Sequence, residues 1–461
     1  MAIIQQALLN RKLIPSDDGW TLNPSNACFN TNGDDRLSNS NNTASCPGIP
    51  DHTWQQSGTH MVSDGGDNLI PDHRTNTNIH ITGRGTNTLS GGYPDQCCPG
   101  QFGPGTYNGE ASGQRSTDNG TTWSESGISN VTYTTNQNYT TWYGWDTNGS
   151  TSSPVWMVGG GGYPNYNTSP GNSKIALYKS TNHTSWSRLQ LDPYVPPAGQ
   201  SQPTGQTIAD IAYSNGAWVL MNSARGVISR STNNGSSWSS WATPVGTNWS
   251  VIQGRAIKSN NGGSKIVMSV RGDTNNSWKQ FYYSSDSGAS WNSGTSISTS
   301  FGTNYNDLMY FDGIVNVGNT QVGPGVWVAG GSLNNGSYGR STKDLLAYST
   351  NGTSWTEIDV QNDVTPSTMY RGQWGVFGKI IDIGDNFITV KRDTNGAENY
   401  YISDRSLTDW RLMSTNPFVG TTGSTSSTRD FIFQGKRLIA CSGMGSVMSG
   451  CAGRIGYIDF V

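Results

Sequence analysis

The sequence predicts an all-β protein: a seven-bladed β-propeller closed by strands from both chain ends, with six or eight blades as the alternatives. Three observations carry this reading. The composition is poor in helix formers, a tight turn recurs along the chain, and the last repeat stops one strand short.

Glycine supplies 59 of the 461 residues, and only 13% are charged, against about 25% in an average domain. Ser, Thr and Asn take the place of Lys and Glu, and these residues favour turns and strands over helices. The 17 Trp and 20 Tyr supply the apolar area that a disordered chain lacks.

The turn reads Ser-x-Asp/Asn-x-Gly-x-Ser/Thr-Trp. It appears as Ser116 to Trp123 with Asp118 and Gly120, as Ser231 to Trp238 with Asn233 and Gly235, and as Ser284 to Trp291 with Asp286 and Gly288. Shorter copies run from Ser180 to Trp186 and from Ser349 to Trp355, and a worn copy from Ser403 to Trp410. The closing tryptophans stand about 50 to 65 residues apart, room for four strands and their loops. The Asp or Asn side chain is expected to bond amides ahead of it. The Gly is expected to supply positive φ, and the Trp to pack back on its own blade.

Upstream of each turn lie strand-length apolar runs, such as Ala217–Met221, Lys265–Ser269, Val326–Ala329 and Asn386–Val390. Asp210–Tyr213 reads as an innermost strand ending at Asn215-Gly216. The C-terminal repeat has inner, second and third strands at Asp430–Phe433, Lys436–Ala440 and Arg454–Phe460, and then ends. An open edge is a liability, so Ser16–Leu22, a compressed turn and strand, is expected to complete that blade. The chain therefore divides into a closing or docking segment (1–27), an irregular loop-rich region with the start of the first blade (28–114), and the repeated blades (115–461), all in one domain.

These turns resemble the Asp-box, or BNR, repeat, over roughly residues 115–461. Sialidases, other glycoside hydrolases, a photosystem-assembly factor, sorting receptors and phage tail components carry such repeats. The resemblance implies that Asp118 and Asp286 are structural residues on the outer rim, and that any ligand site lies on the propeller axis. A sialidase-like hydrolase would need three arginines, a Tyr/Glu pair and an acid Asp. Arg255, Arg371 and Arg429 stand near inner strands, but no Arg-Ile-Pro start is present, and Glu125 and Glu357 follow rim turns.

Net charge is −3 and no basic patch stands out, which excludes nucleic acid as the expected partner. No apolar run approaches the length of a membrane helix, and Met1 to Leu9 does not read as a signal peptide. Sparse charge and abundant Ser, Thr and Asn suit an exterior surface. The expected function is a non-enzymatic structural or receptor- and glycan-binding propeller on a phage-like particle, contacting other virion proteins and host glycans. The alternatives are a sialidase-like hydrolase and an extracellular lectin.

The axial-mouth candidates are Asp210, Arg255, Asp307, Trp374, Arg429 and Asp430. The glycan-contact candidates are Trp142, Tyr143 and Trp145, since exposed aromatics stack on sugar faces. Cys28–Cys46 and Cys441–Cys451 could close local loops in an oxidising compartment; buried thiols are the equal alternative. No catalytic residue and no cofactor are expected. Asp382-Ile-Gly-Asp385 could hold calcium but reads better as a β-turn. Arg271-Gly-Asp273 reads as a strand-end turn. His52, His60, His73 and His80 with Cys97 and Cys98 have no metal-ligand spacing.

Overall fold

The computed structural model describes residues 15, 19–22, 55–63, 79–86, 113–116, 118–121, 124–125, 137–150, 152–164, 174–182, 185–192, 195, 207–223, 226–244, 254–260, 263–270, 272–273, 280–295, 297, 308–317, 326–334, 341–358, 379–384, 386–392, 398–418, 428–434, 436–442 and 455–461. Every strand pairing among them is antiparallel.

Six sheets are built from strands nearly consecutive in sequence, and a seventh joins the two ends. Blade 1 comprises Gln55–Ser63, Ile79–Thr86, Gly113–Ser116 and Ser124–Glu125; blade 2, Gln137–Thr147, Trp156–Pro164, Lys174–Ser180 and Trp186–Arg188. Blade 3 has three strands, Ile208–Ser214, Ala217–Asn222 and Ile228–Ser231. Blade 4 has Gly254–Ser259, Ile266–Val270, Phe281–Ser284 and Asn292–Ser293. Blade 5 has Leu308–Val317, Val326–Asn334, Ser341–Ser349 and Thr356–Ile358; blade 6, Ile380–Asp382, Asn386–Arg392, Glu398–Asp404 and Trp410–Thr415. Blade 7 takes Thr428–Gln434, Arg437–Ser442 and Ile455–Asp459 from the C-terminal end. Its outer strand is Thr21–Leu22, which pairs with Tyr457 and Gly456. Each inner strand packs on those of the blades before and after it, and blade 1 meets both blade 7 and blade 2, so the ring closes.

Burial follows position within a blade. The second strands Ala217–Asn222 and Ile266–Val270 are buried throughout, while the outer strand Asn292–Ser293 is exposed. A second strand is covered on both faces by neighbouring blades, so it reads as an unbroken apolar run. The core is accordingly a set of layers between blades. Met157 and Leu177 of blade 2 pack with Ile211 and Trp218 of blade 3. Val219 and Met221 of blade 3 pack with Ile266 and Tyr282 of blade 4, and Val267 and Phe281 of blade 4 with Trp327 and Leu345 of blade 5. Trp156, Trp218, Trp327 and Trp410 are fully buried, each worth up to about 3 kcal/mol of apolar transfer.

The repeated turns sit at these interfaces. The serine that opens the turn is its hub. Ser284 Oγ accepts the amides of Asp286 (3.3 Å) and Gly288 (2.8 Å) and donates to Asp286 Oδ1 (2.7 Å). Ser116, Ser231 and Ser349 make the same three bonds. The Asx role is met further on, where Asp286 Oδ1 accepts Ser290 N and Asn233 Oδ1 accepts Ser237 N. Burial alone would raise the Asp286 pKa. Bonds from Ser290, Ser284 and the Ala289 amide outweigh it and lower the value to about 2.

Two residues in succession are left-handed: Asn119 and Gly120 (φ 57° and 80°), Asn234 and Gly235 (53° and 81°), and Ser287 and Gly288 (56° and 81°). The carbonyl at or beside the first of these accepts a cation from the preceding blade: Lys179 to Asn234, Arg230 to Ser287, Arg437 to Asn119 and Lys265 to Asn351. The closing tryptophans also differ from the expectation that each locks its own hairpin. Trp355 of blade 5 stacks on Phe281 of blade 4 (3.9 Å, 9°), and Trp238, Trp291 and Trp410 join the layer toward the blade before. Trp186 is buried, and Trp123 lies outside the described residues.

Candidate functional site: the axial ring

Six of the seven inner strands break register with their second strand at equivalent places, four or five residues before the strand ends. The residue left over is Thr59, Tyr143, Ala209, Arg255, Asp312 and Arg429 in blades 1, 2, 3, 4, 5 and 7. A bulge bends its strand and re-aims the side chain at that point, and bulges gather beside binding sites for that reason. At blade 2 the bulge coincides with a close approach of two backbones. A Cβ on Gly144, next to the blade 2 bulge, would lie 2.6 Å from Asp210 Cα of blade 3, so only glycine lets these inner strands meet.

Carboxylates beside the bulges hold the ring together. Asp146 Oδ1 accepts the amide of Thr147 (2.8 Å), and its Oδ2 reaches across to Tyr213 N of blade 3 (2.5 Å). Asp210 repeats the arrangement one blade on, accepting Ile211 N (2.9 Å) and Ile257 N of blade 4 (3.0 Å). Asp430 is buried; it accepts Phe431 N (2.8 Å) and pairs with Lys379 of blade 6 (2.8 Å). Asp146 and Asp210 each accept one amide from their own strand and one from the next blade, which makes them straps between inner strands.

The sequence-predicted residues separate on this geometry. Arg255 and Arg429 occupy equivalent bulge positions, Arg255 half-buried. Asp210 and Asp430 each follow a bulge and serve the framework. Asp307 and Trp374 lie outside the described residues. Trp142 and Tyr143 belong to the inner strand of blade 2. Trp145 is a correction: it is 4% exposed and packs edge-on against Trp186 (5.5 Å, 89°), so it offers no face to a sugar. Strand periodicity turns this side chain inward, a distinction that an aromatic-rich run conceals. Asp146 and Asp312 were missed, because an inner-strand acid has no local motif; Asp312 stands at a bulge, and Asp146 is set apart by its bond across to blade 3.

Elsewhere, Asp382 Oδ1 accepts Gly384 N (3.0 Å) and Arg405 Nη2 (2.8 Å), forming a turn and an ion pair, while Asp385 lies outside the described residues. No group of three or more His, Cys, Asp or Glu that could hold a metal occurs among the described residues. Gly272–Asp273 is a short strand along the inner edge of blade 5, in place of the expected strand-end turn. Cys441 is buried; Cys28, Cys46 and Cys451 lie outside the described residues, as do His52, His73, Cys97 and Cys98. Glu125 and Glu357 stand on outer strands, as expected.

No protein-family model matches the chain, and no curated protein is similar to it in sequence. Similar solved structures include an ancestral GH74 enzyme, 12% identical with TM-score 0.48, where the match covers 88% of this chain and 48% of that one. The chain thus spans about half the length of that enzyme. A sialidase from Trypanosoma rangeli in complex with sialic acid is 11% identical (TM-score 0.38, 89% and 58% covered). An oligogalacturonate lyase in complex with manganese is 8% identical (TM-score 0.45, 88% and 91% covered).

Proposed function

We propose that this chain is a non-enzymatic structural propeller on the exterior of a phage-like particle, and that its axial ring binds a host-surface glycan or receptor. The observation that carries the reading is the ring of bulges, with Arg255 and Arg429 at equivalent positions and Tyr143 and Asp312 at others. Two arginines favour a ligand bearing a carboxylate or phosphate, which a guanidinium fork engages bidentately. Asp146, Asp210 and Asp430 are engaged by backbone amides, which supports binding without turnover. The recurrent turns, with their likeness to the Asp-box repeat of phage tail components, and the sparsely charged exterior support a place on a particle surface.

The experiment has two arms. Mass spectrometry of purified particles should find the chain in stoichiometric amount; its absence there ends the particle reading. Purified protein should bind acidic glycans on an array, weakened about tenfold or more in Arg255→Ala, and should release no sugar from fluorogenic glycosides. Turnover of any of these would establish the hydrolase alternative instead.

A further inference from the structure

Blade 3 differs from the others at its outer edge. After the turn that ends at Trp238, the chain returns beside Ile228–Ser231 without forming a regular outer strand. Ser239 N donates to Arg230 O (2.8 Å), Arg230 N to Ser239 Oγ (2.9 Å), and Ile228 exchanges two bonds with Ala242 (2.9 Å each). Between those anchors Ser240 and Trp241 bulge away, with Trp241 Nε1 donating to Asp192 O on blade 2 (2.6 Å). A cleft of about 570 Å³ opens between this segment and the turn of blade 4, within the size range of small-ligand sites.

The lining is chemically selective. Trp238 and Trp291, both half-buried, contribute indole surface. Around them stand hydroxyls, of which those of Thr232, Ser240 and Thr243 take no part in the hydrogen bonds among the described residues. Among the described residues no carboxylate and no lysine lines the cleft, and the one charged side chain, Arg230, turns Nε to the carbonyl of Ser287 (2.8 Å). Indole faces with hydroxyl donors and acceptors and little charge match the C–H face and hydroxyl rim of a pyranose. An acidic peptide or nucleic acid would meet no cationic patch here.

We infer that the cleft between blades 3 and 4 is a second binding site, on the rim, for a short neutral oligosaccharide, with Trp238 and Trp291 as stacking residues. This goes beyond the axial reading in place and in ligand charge, and it is read on the purified protein, so each can fail without the other. The test is an array of neutral gluco-, galacto- and manno-oligosaccharides, with hits titrated by tryptophan fluorescence. Trp291→Ala should weaken binding about tenfold or more. That residue also supports the turn, so a second variant fills the cleft from outside its framework: Ser240→Arg with Thr243→Arg, at exposed and half-exposed positions, should abolish binding with the melting temperature unchanged. Leu412→Ala, exposed on blade 6, should bind as the parent does. The inference is overturned if no neutral oligosaccharide binds at millimolar concentration, or if binding persists in the filled variant.

Discussion

At the scale of the residue, the turn depends on a serine and a glycine more than on the acid that makes it conspicuous. The glycine does two things at once. Gly288 has φ +81°, and a Cβ there would lie 2.5 Å from Val219 Cγ2 of the preceding blade. Gly120 approaches Ile439, and Gly235 approaches Met157 and Leu189, again on the blade before, while Gly352 approaches Val267 of the blade before and Trp327 of its own blade. Conformation and contact can be separated by comparison with Gly216, which has φ +86° and nothing within 4 Å. Gly216→Ala should cost only the left-handed backbone penalty, about 1–2 kcal/mol. Gly288→Ala should cost about 2–4 kcal/mol, because overpacking adds to the same backbone term. Denaturant unfolding of the two variants measures the difference; equal costs would show that Val219 yields. The positive φ of these glycines was legible in the sequence. The serine hub was not, since serine is abundant throughout this chain and only its burial against the glycine amide distinguishes it.

At the scale of the element, each interface between blades joins residues far apart in sequence, and that is where the sequence stops being informative. Strand positions could be read from apolar runs, as at Ala217–Asn222 and Ile266–Val270. Which side chain crosses to which blade could not, and neither could the bulges, which leave no local signature. The ion pair between Lys391 of blade 6 and Asp344 of blade 5 is the clearest example, with both side chains wholly buried. Burial pushes the lysine pKa down, and Asp344 acts against that shift. A pair of this kind is costly to break and cheap to replace. Lys391→Met alone takes the ammonium from a buried carboxylate and should cost about 3–5 kcal/mol. Lys391→Met with Asp344→Leu should recover most of that loss. A double-mutant cycle by chemical denaturation reads both. A single variant as stable as the parent would mean that water reaches Asp344.

At the scale of the molecule, the ring is held shut where its ends meet. This was legible, because a repeat that stops after three strands demands a fourth from elsewhere, and Thr21–Leu22 supplies it. The sequence could not reveal that the closing segment also seals a layer. Trp20 lies 4.8 Å from Tyr400 and 6.4 Å from Phe418 of blade 6, its Nε1 donates to Ser414 Oγ (2.6 Å), and Pro15 bridges to Phe460. The segment is thus both the outer strand of blade 7 and a cover over the joint with blade 6. Trp20→Ala should therefore cost about 1–3 kcal/mol for a half-buried ring. Deleting residues 1–22 should do more, since it also bares the edge of Ile455–Asp459, a template for pairing with a second chain. The truncated protein should melt several degrees lower and associate in a concentration-dependent way, seen by light scattering. A synthetic peptide of residues 13–24 should bind the vacant edge and reverse both effects, while the same peptide with Trp20→Ala should do so less well. Because blade 7 closes by strand pairing and not by a covalent join, rescue in trans is the outcome that the topology requires. A truncated chain that keeps its melting temperature would mean that the ring is held by its inter-blade layers alone.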